Sequence, residues 1–235
     1  MLENYRKKAD PYISKIAKCF ENTNPNTVSV LAFVCSVFAL VAFILVRWNV
    51  YFLNLASLFI FLNGLFDVLD GKIARMSRKA SARGDFLDHV LDRYADFFII
   101  GGIALTGLCD PVIGLLGVVG VLFASYMGTQ AQAVGCGRKY TGFLSRADRL
   151  IILILAPWIQ CTLLTSPYPI NFNLILTVHG YTHAFTFLEL VMLFFAIMGH
   201  ITAIQRFYIT WKELYGKEKG INQAHPHRDR PAEEH

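Results

Sequence analysis

D-V-L-D-G-K-I-A-R-M-S-R-K-A-S-A-R-G-D-F-L-D-H-V-L-D, residues Asp67 to Asp92, is a polar stretch set in a greasy chain. Apolar residues run into it from Tyr51 to Phe66 and out of it from Tyr94 to Leu108. Asp67, Asp70, Asp88 and Asp92 therefore fall at or near the ends of two membrane-length helices. A carboxylate near hydrocarbon is costly to hold, so its first reading is functional. Asp67 and Asp70 are spaced i,i+3, and Asp88 and Asp92 i,i+4, so each pair shares a helix face. Gly71 and Ala74 continue the first face and Gly84 opens the second. Small residues let two helix backbones approach, which would bring the acid pairs together. Carboxylates so placed repel unless cations neutralise them, and oxygen-only ligation suits a hard ion such as Mg²⁺ or Mn²⁺. Arg75, a phosphate-binding side chain, follows directly. Acids, divalent metal and arginine together point to chemistry on a diphosphate. Helix-end acids that merely pair with Lys72, Arg78, Lys79 and Arg83 are the plainer alternative, disfavoured by the cost of the site.

At these positions the chain closely resembles the CDP-alcohol phosphotransferases. Their signature is D-x-x-D-G-x-x-A-R, an eight-residue gap, then G-x-x-x-D-x-x-x-D. Asp67, Asp70, Gly71, Ala74, Arg75, Gly84, Asp88 and Asp92 match it without gap or substitution. The resemblance implies transfer of a phosphatidyl-type group from a CDP-linked lipid (CDP-diacylglycerol or CDP-archaeol) to an alcohol, with release of CMP. It implies that Asp67, Asp70, Asp88 and Asp92 bind two divalent ions, Mg²⁺ or Mn²⁺, and that Asp92 is also the general base. It puts Asp67, Gly71, Ala74, Arg75, Ser81 and Gly84 around the CDP-lipid, joined by the turn Asn26, Thr27, Val28 and Ser29. A homodimer is also implied.

The 235 residues are 54% hydrophobic, with mean hydropathy +0.43, which indicates a helical membrane protein rather than a soluble domain. The fold class expected is an all-α integral membrane protein: six transmembrane helices and an N-terminal amphipathic surface helix. A net charge of +5 comes with no nucleic-acid-binding motif, so nucleic acid is excluded as a partner; basic residues here mark the cytoplasmic side of a bilayer. Cys19, Cys35, Cys109, Cys136 and Cys161 are scattered and show no C-x-x-C, arguing against a disulfide framework or zinc site. A signal peptide is not expected, since the first apolar run starts beyond Thr27.

Residues 1–26 read as the amphipathic arm and turn, with Leu2, Tyr5, Tyr12, Ile13, Ile16 and Phe20 interleaved by Arg6, Lys7, Lys8, Lys15 and Lys18. In N-P-N-T-V-S, Pro25 acts as a breaker and Asn26 as N-cap. Spans are expected over 28–46, 50–66 (continuing as helix into the acidic motif), 86–108, 112–134, 150–164 and 184–210, the fifth interrupted by Pro157. Together they form a domain over 27–211, followed by a polar, unstructured tail over 212–235. The apolar centre of 166–183 reads as a re-entrant or surface helix. Gly114, Gly117 and Gly120 mark a close helix contact, either within the molecule or at a dimer seam. Five Lys/Arg in the arm, five over 72–83, four over 138–149 and five in the tail, against Arg47 alone in the opposite loops, put both termini and the motif in the cytoplasm of a cell-membrane protein.

Lys139, Arg146, Arg149 and Arg206 form the candidate pocket for a second phosphate, on the acceptor. Arg206 is the informative member, because an arginine within a span needs an anion or a route to the interface. G-F-L-S-R-A-D-R (Gly142 to Arg149) and Gln205-Arg206 resemble the branch of the family that uses inositol phosphate, although Ser145 stands where that branch usually carries an acid. Glycerol phosphate and serine are the alternative acceptors. A membrane prenyltransferase or a cation transporter are remoter alternatives: the first keeps its acid motifs far apart in sequence, the second spreads acids through the bilayer depth.

Overall fold

The computed structural model describes residues 11, 13–20, 23–77, 81–137, 139, 142, 146–167, 174–178 and 181–224. Six long helices dominate: α1 (Pro25–Leu45), α2 (Phe52–Met76), α3 (Ala82–Ala104), α4 (Pro111–Ala133), α5 (Arg146–Thr165) and α6 (Phe187–Ala224). All but α3 are long and apolar enough to cross a membrane, making this a multi-pass membrane protein. Helix α3 has the length, at 23 residues, but carries Arg83, Asp85, Asp88, Asp92, Arg93 and Asp96 in its first turns. Residues 13–19 are also helical. There Ala17 is buried and packs with Val28, Leu69 and Ile73, while Ile16 and Phe20 stay exposed.

Contacts between the helices close into a ring in the order α1, α2, α5, α6, α4, α3. Phe43, Leu53, Ile60, Ile100, Ile103, Leu188, Met192 and Phe195 fill its centre. Packing is tightest between α4 and α6. A Cβ on Gly199 would lie 2.5 Å from the Gly120 carbonyl carbon, and one on Gly117 2.7 Å from Met192 Cε. Gly117 and Gly120 are thus taken up by α6, and Gly114 by Ala104 at the end of α3. Gly64 plays the same part where α2 meets Leu150 of α5.

Several local expectations are corrected. Helix α1 starts one residue earlier than Asn26: Asn24 is the N-cap, its side chain accepting from the Asn26 amide, and Pro25 takes the first helical position. Proline suits that position because its missing N–H would be unpaired there anyway. Asp110-Pro111 opens α4 in the same way, with Asp110 Oδ1 accepting from the Val112 amide at 2.8 Å. Pro157 lies inside α5, which runs through it. The described residues in the apolar centre of 166–183 are not helical. Leu174–Val178 (β1) pairs antiparallel with Tyr181–Phe185 (β2), so a small two-stranded sheet joins an otherwise helical fold, and α6 starts after Ala184. Residues 212–224 are not an unstructured tail but the continuation of α6; residues 225–235 lie outside the described residues.

The hairpin sits at the end of the bundle away from the acidic motif. Glu189, 2% exposed, gathers that end. Its Oε1 accepts from the Asp110 amide at 2.9 Å, and His183 Nε2 of β2 lies 3.1 Å from both of its oxygens. A buried carboxylate needs such partners.

Candidate active site

The acids reach one another because α2 ends and α3 begins at the same end of the ring. One oxygen each from Asp67, Asp88 and Asp92 lie within 4.8 Å of one another. Asp92 is 7% exposed. Asp70, 6% exposed, stands beside this group rather than in it. Its Oδ2 accepts from Ser29 Oγ of α1 at 2.5 Å. Three carboxylates with nothing softer among the donors fit a divalent cation of the Mg²⁺ or Mn²⁺ kind.

The sequence-derived nucleotide residues converge on the same end. Ser81 caps α3, its Oγ accepting from the Gly84 amide at 3.1 Å. A Cβ on Gly84 would lie 3.2 Å from Asn26 Oδ1 and 3.3 Å from Ser81 Oγ, so Asn26, Ser81 and Gly84 are neighbours. Val28 is buried against Leu69 and Ile73 and fixes the start of α1 to the motif helix, while Thr27 is exposed. Arg75 is exposed and donates from Nε to the Gly71 carbonyl at 2.9 Å. Ala74 is half-buried. At Gly71 a Cβ would meet nothing within 4 Å among the described residues, so no helix uses the space that the missing side chain leaves.

The four candidate acceptor cations divide into two groups. Arg146 belongs with the acids: its Nη2 lies 3.0 Å from Asp67 Oδ1 and is also paired with Asp92. The reason for this placement is electrostatic, since the acid cluster holds dense negative charge. Arg149, 7% exposed, points to Asp96, with Nη2 at 3.5 Å from Oδ2. In the second, Arg206 and the backbone of Lys139, not its ammonium, lie at Gly128. A Cβ there would lie 3.0 Å from Lys139 O and 3.1 Å from Arg206 Nη1. Arg206 donates to the Ala124 carbonyl at 2.5 Å, and Lys139 Nζ pairs with Glu213 at 2.5 Å.

Comparison with known proteins gives this arrangement its class. The family model for CDP-alcohol phosphatidyltransferase matches residues 22–212. The chain belongs to that family. An archaetidylinositol phosphate synthase of Pyrococcus horikoshii is 31% identical over 160 residues, covering 66% of this chain and 81% of its own. Two crystal structures of the Mycobacterium tuberculosis phosphatidylinositol phosphate synthase superpose with a TM-score of 0.67. One, with CDP-DAG bound, is 24% identical and covers 85% of this chain and 93% of that one. The other, in complex with manganese and citrate, is 25% identical and covers 85% and 88%. This family member is therefore a transferase enzyme.

Two polar contributors, Arg93 and Asp96, escaped the sequence reading, and so did one partnership. Ser29 was named for the nucleotide, yet its hydrogen bond to Asp70 has no sequence signal. Asp96 and Arg93 did have one: Asp96 extends the four-residue spacing of Asp88 and Asp92 by another turn.

Proposed function

We propose that the enzyme transfers the phosphatidyl-type group of a CDP-linked lipid to inositol phosphate and releases CMP. The observation that carries the proposal is the meeting of Asp67, Asp88 and Asp92 oxygens within 4.8 Å, on a chain of this family. The acceptor hydroxyl oxygen forms the new bond to the lipid-side phosphorus, and the bond from that phosphorus to the oxygen of CMP breaks. Asp92 takes the hydroxyl proton; a carboxylate within hydrogen-bond reach turns a poor nucleophile into a competent one. Two divalent ions held by Asp67, Asp70, Asp88 and Asp92 would neutralise the diphosphate oxygens. Ser29 orients Asp70, and Asn26, Thr27, Gly71, Arg75, Ser81 and Gly84 frame the nucleotide, with the bare backbone at Gly71 allowing close approach. Lys139, Arg149 and Arg206 receive the acceptor's phosphate, and Arg146 stands between it and the acids.

Six spans, with α3 as the third, both termini in the cytoplasm of the cell membrane and a homodimeric assembly complete the proposal. The distribution of Lys and Arg supports the orientation. Helix α6 supports it too: 38 residues extend roughly 57 Å at 1.5 Å per residue, well beyond a hydrocarbon core of about 30 Å. Its surplus carries Lys212, Lys217 and Lys219.

The test is CMP release by purified protein with Mg²⁺ and a CDP-lipid, offered inositol phosphate, glycerol phosphate or serine in turn. Release with inositol phosphate, and much less with the others, is expected. Preference for glycerol phosphate would reassign the acceptor and keep the phosphate pocket; preference for serine would remove both.

A further inference from the structure

We infer that Asp96 is a positioning residue for the acceptor side of the reaction, holding Arg149 in place for the acceptor's phosphate and keeping surplus guanidinium charge off Asp92. The assignment rests on the phosphorylated-acceptor function proposed above. Asp88, Asp92 and Asp96 follow one another at four-residue spacing, so they stack along one face of α3, one turn apart. The first two belong to the acid cluster; Asp96 does not. Instead its Oδ2 faces two guanidinium groups, Arg93 Nη2 of its own helix and Arg149 Nη2 of α5, each at 3.5 Å. The Arg149 and Asp96 side chains are only 8% and 14% exposed, so their pairing is largely desolvated, not a surface pair of little consequence.

Two features give the triad a direction. Arg149 Nε is buried and has no hydrogen-bond partner among the described residues. A buried charged donor left unmet is costly, and an incoming anion would relieve it. Arg93 lines a cavity of about 260 Å³ between α3 and α4, together with His89, Leu122, Tyr126 and Thr129. Thr129 follows Gly128, the residue flanked by the Lys139 backbone and Arg206. Through Arg93 the triad therefore reaches from the helix that carries Asp88 and Asp92 to this cavity.

The alternative carboxylate for these arginines is Asp92. Arg93 Nη2 already lies 3.8 Å from its Oδ2, and Arg146 pairs with it as well. Without the charge on Asp96, both guanidinium groups turn toward Asp92, and Arg149 is lost to the acceptor. A contrary effect is also physical: deleting a negative charge strengthens the positive field that a phosphate feels. The sign of the change in acceptor affinity separates the two.

The experiment measures calorimetric binding of inositol phosphate and of glycerol phosphate in the presence of Mg²⁺, with CDP-lipid binding measured in parallel. Asp96→Asn, nearly the same size, is expected to weaken binding of the phosphorylated acceptor roughly tenfold or more and to leave CDP-lipid affinity within about twofold. Asp96→Glu keeps the charge and should return part of the loss. In an Arg149→Ala background, Asp96→Asn should add nothing to the loss of acceptor affinity, because on that ligand Asp96 acts through Arg149. Should Asp96→Asn not fold, Arg149→Lys carries the test, since an ammonium keeps the charge but not the fork that meets Asp96. Tighter acceptor binding, equal loss of both ligands, or additive losses in the double variant would overturn the inference. Binding of glycerol phosphate alone would change the acceptor and leave the Asp96 test intact on that ligand. Binding of neither to the wild type would overturn both.

Discussion

Gly71 carries more information than its size suggests. It lies inside α2, where glycine costs about 1 kcal/mol relative to alanine, and a Cβ there meets nothing in the described protein. On the proposed function, the space left there is for the CDP-lipid. Gly71→Ala is thus expected to leave the unfolding midpoint unchanged or slightly raised, while CDP-lipid affinity falls; thermal melting beside nucleotide-lipid binding checks it. Loss of stability with intact binding would assign the glycine to folding instead. At this scale the motif was legible because its residues are fixed by chemistry: carboxylates for a hard ion, arginine for phosphate. Partnerships were not. The bond from Ser29 to Asp70 spans 41 positions, and the pairing of Arg146 with Asp67 spans 79. Nothing local in the sequence encodes which carboxylate an arginine will choose.

The helices were legible as elements, because long apolar runs have few other uses. Their ends were less so. Asn24 rather than Asn26 caps α1, since proline prefers the first helical position to the place of a breaker. The continuation of α6 past Thr210 was hidden by its polarity. Its Glu213 and Lys217, paired at 3.2 Å across one turn, are helix-supporting neighbours that a hydropathy reading passes over. The hairpin was missed for a related reason. Leu174–Val178 is a five-residue run, apolar but for Thr177, too short for a helix, and only two residues, the second a glycine, separate it in sequence from the next strand. Where elements meet, glycine sets the distance. Gly199→Val would push side-chain atoms into the Gly120 backbone, which cannot move aside as a side-chain tip could. A loss of about 1–3 kcal/mol or more is expected from such overpacking, seen as a lower melting temperature in detergent. An unchanged melting temperature would mean that α4 and α6 separate easily.

As a whole, the molecule is a ring of six helices with chemistry at one end and a staple at the other. Helices α1, α2, α3 and α5 each bring a side chain to the reactive end: Ser29, Asp67 with Asp70, Asp88 with Asp92, and Arg146. Arg146 offsets only part of the charge of these carboxylates, and a divalent cation would offset more of it. At the far end, Glu189 ties the hairpin, the start of α6 and the Asp110 cap together, so the helices are fixed at the end away from the acids. The ring order was not legible, because hydropathy marks where helices lie and not which neighbours they take.

The most direct measurement is CMP release from a CDP-lipid and inositol phosphate by the purified wild type and by Asp92→Asn, each with Mg²⁺ and then with EDTA. The wild type should release CMP only with the metal, and Asp92→Asn should lose roughly 10²–10⁴-fold in rate, as expected for a missing general base, while still binding the CDP-lipid. Turnover by Asp92→Asn at the wild-type rate, or release that EDTA leaves untouched, would contradict the assignment of these acids as the catalytic centre.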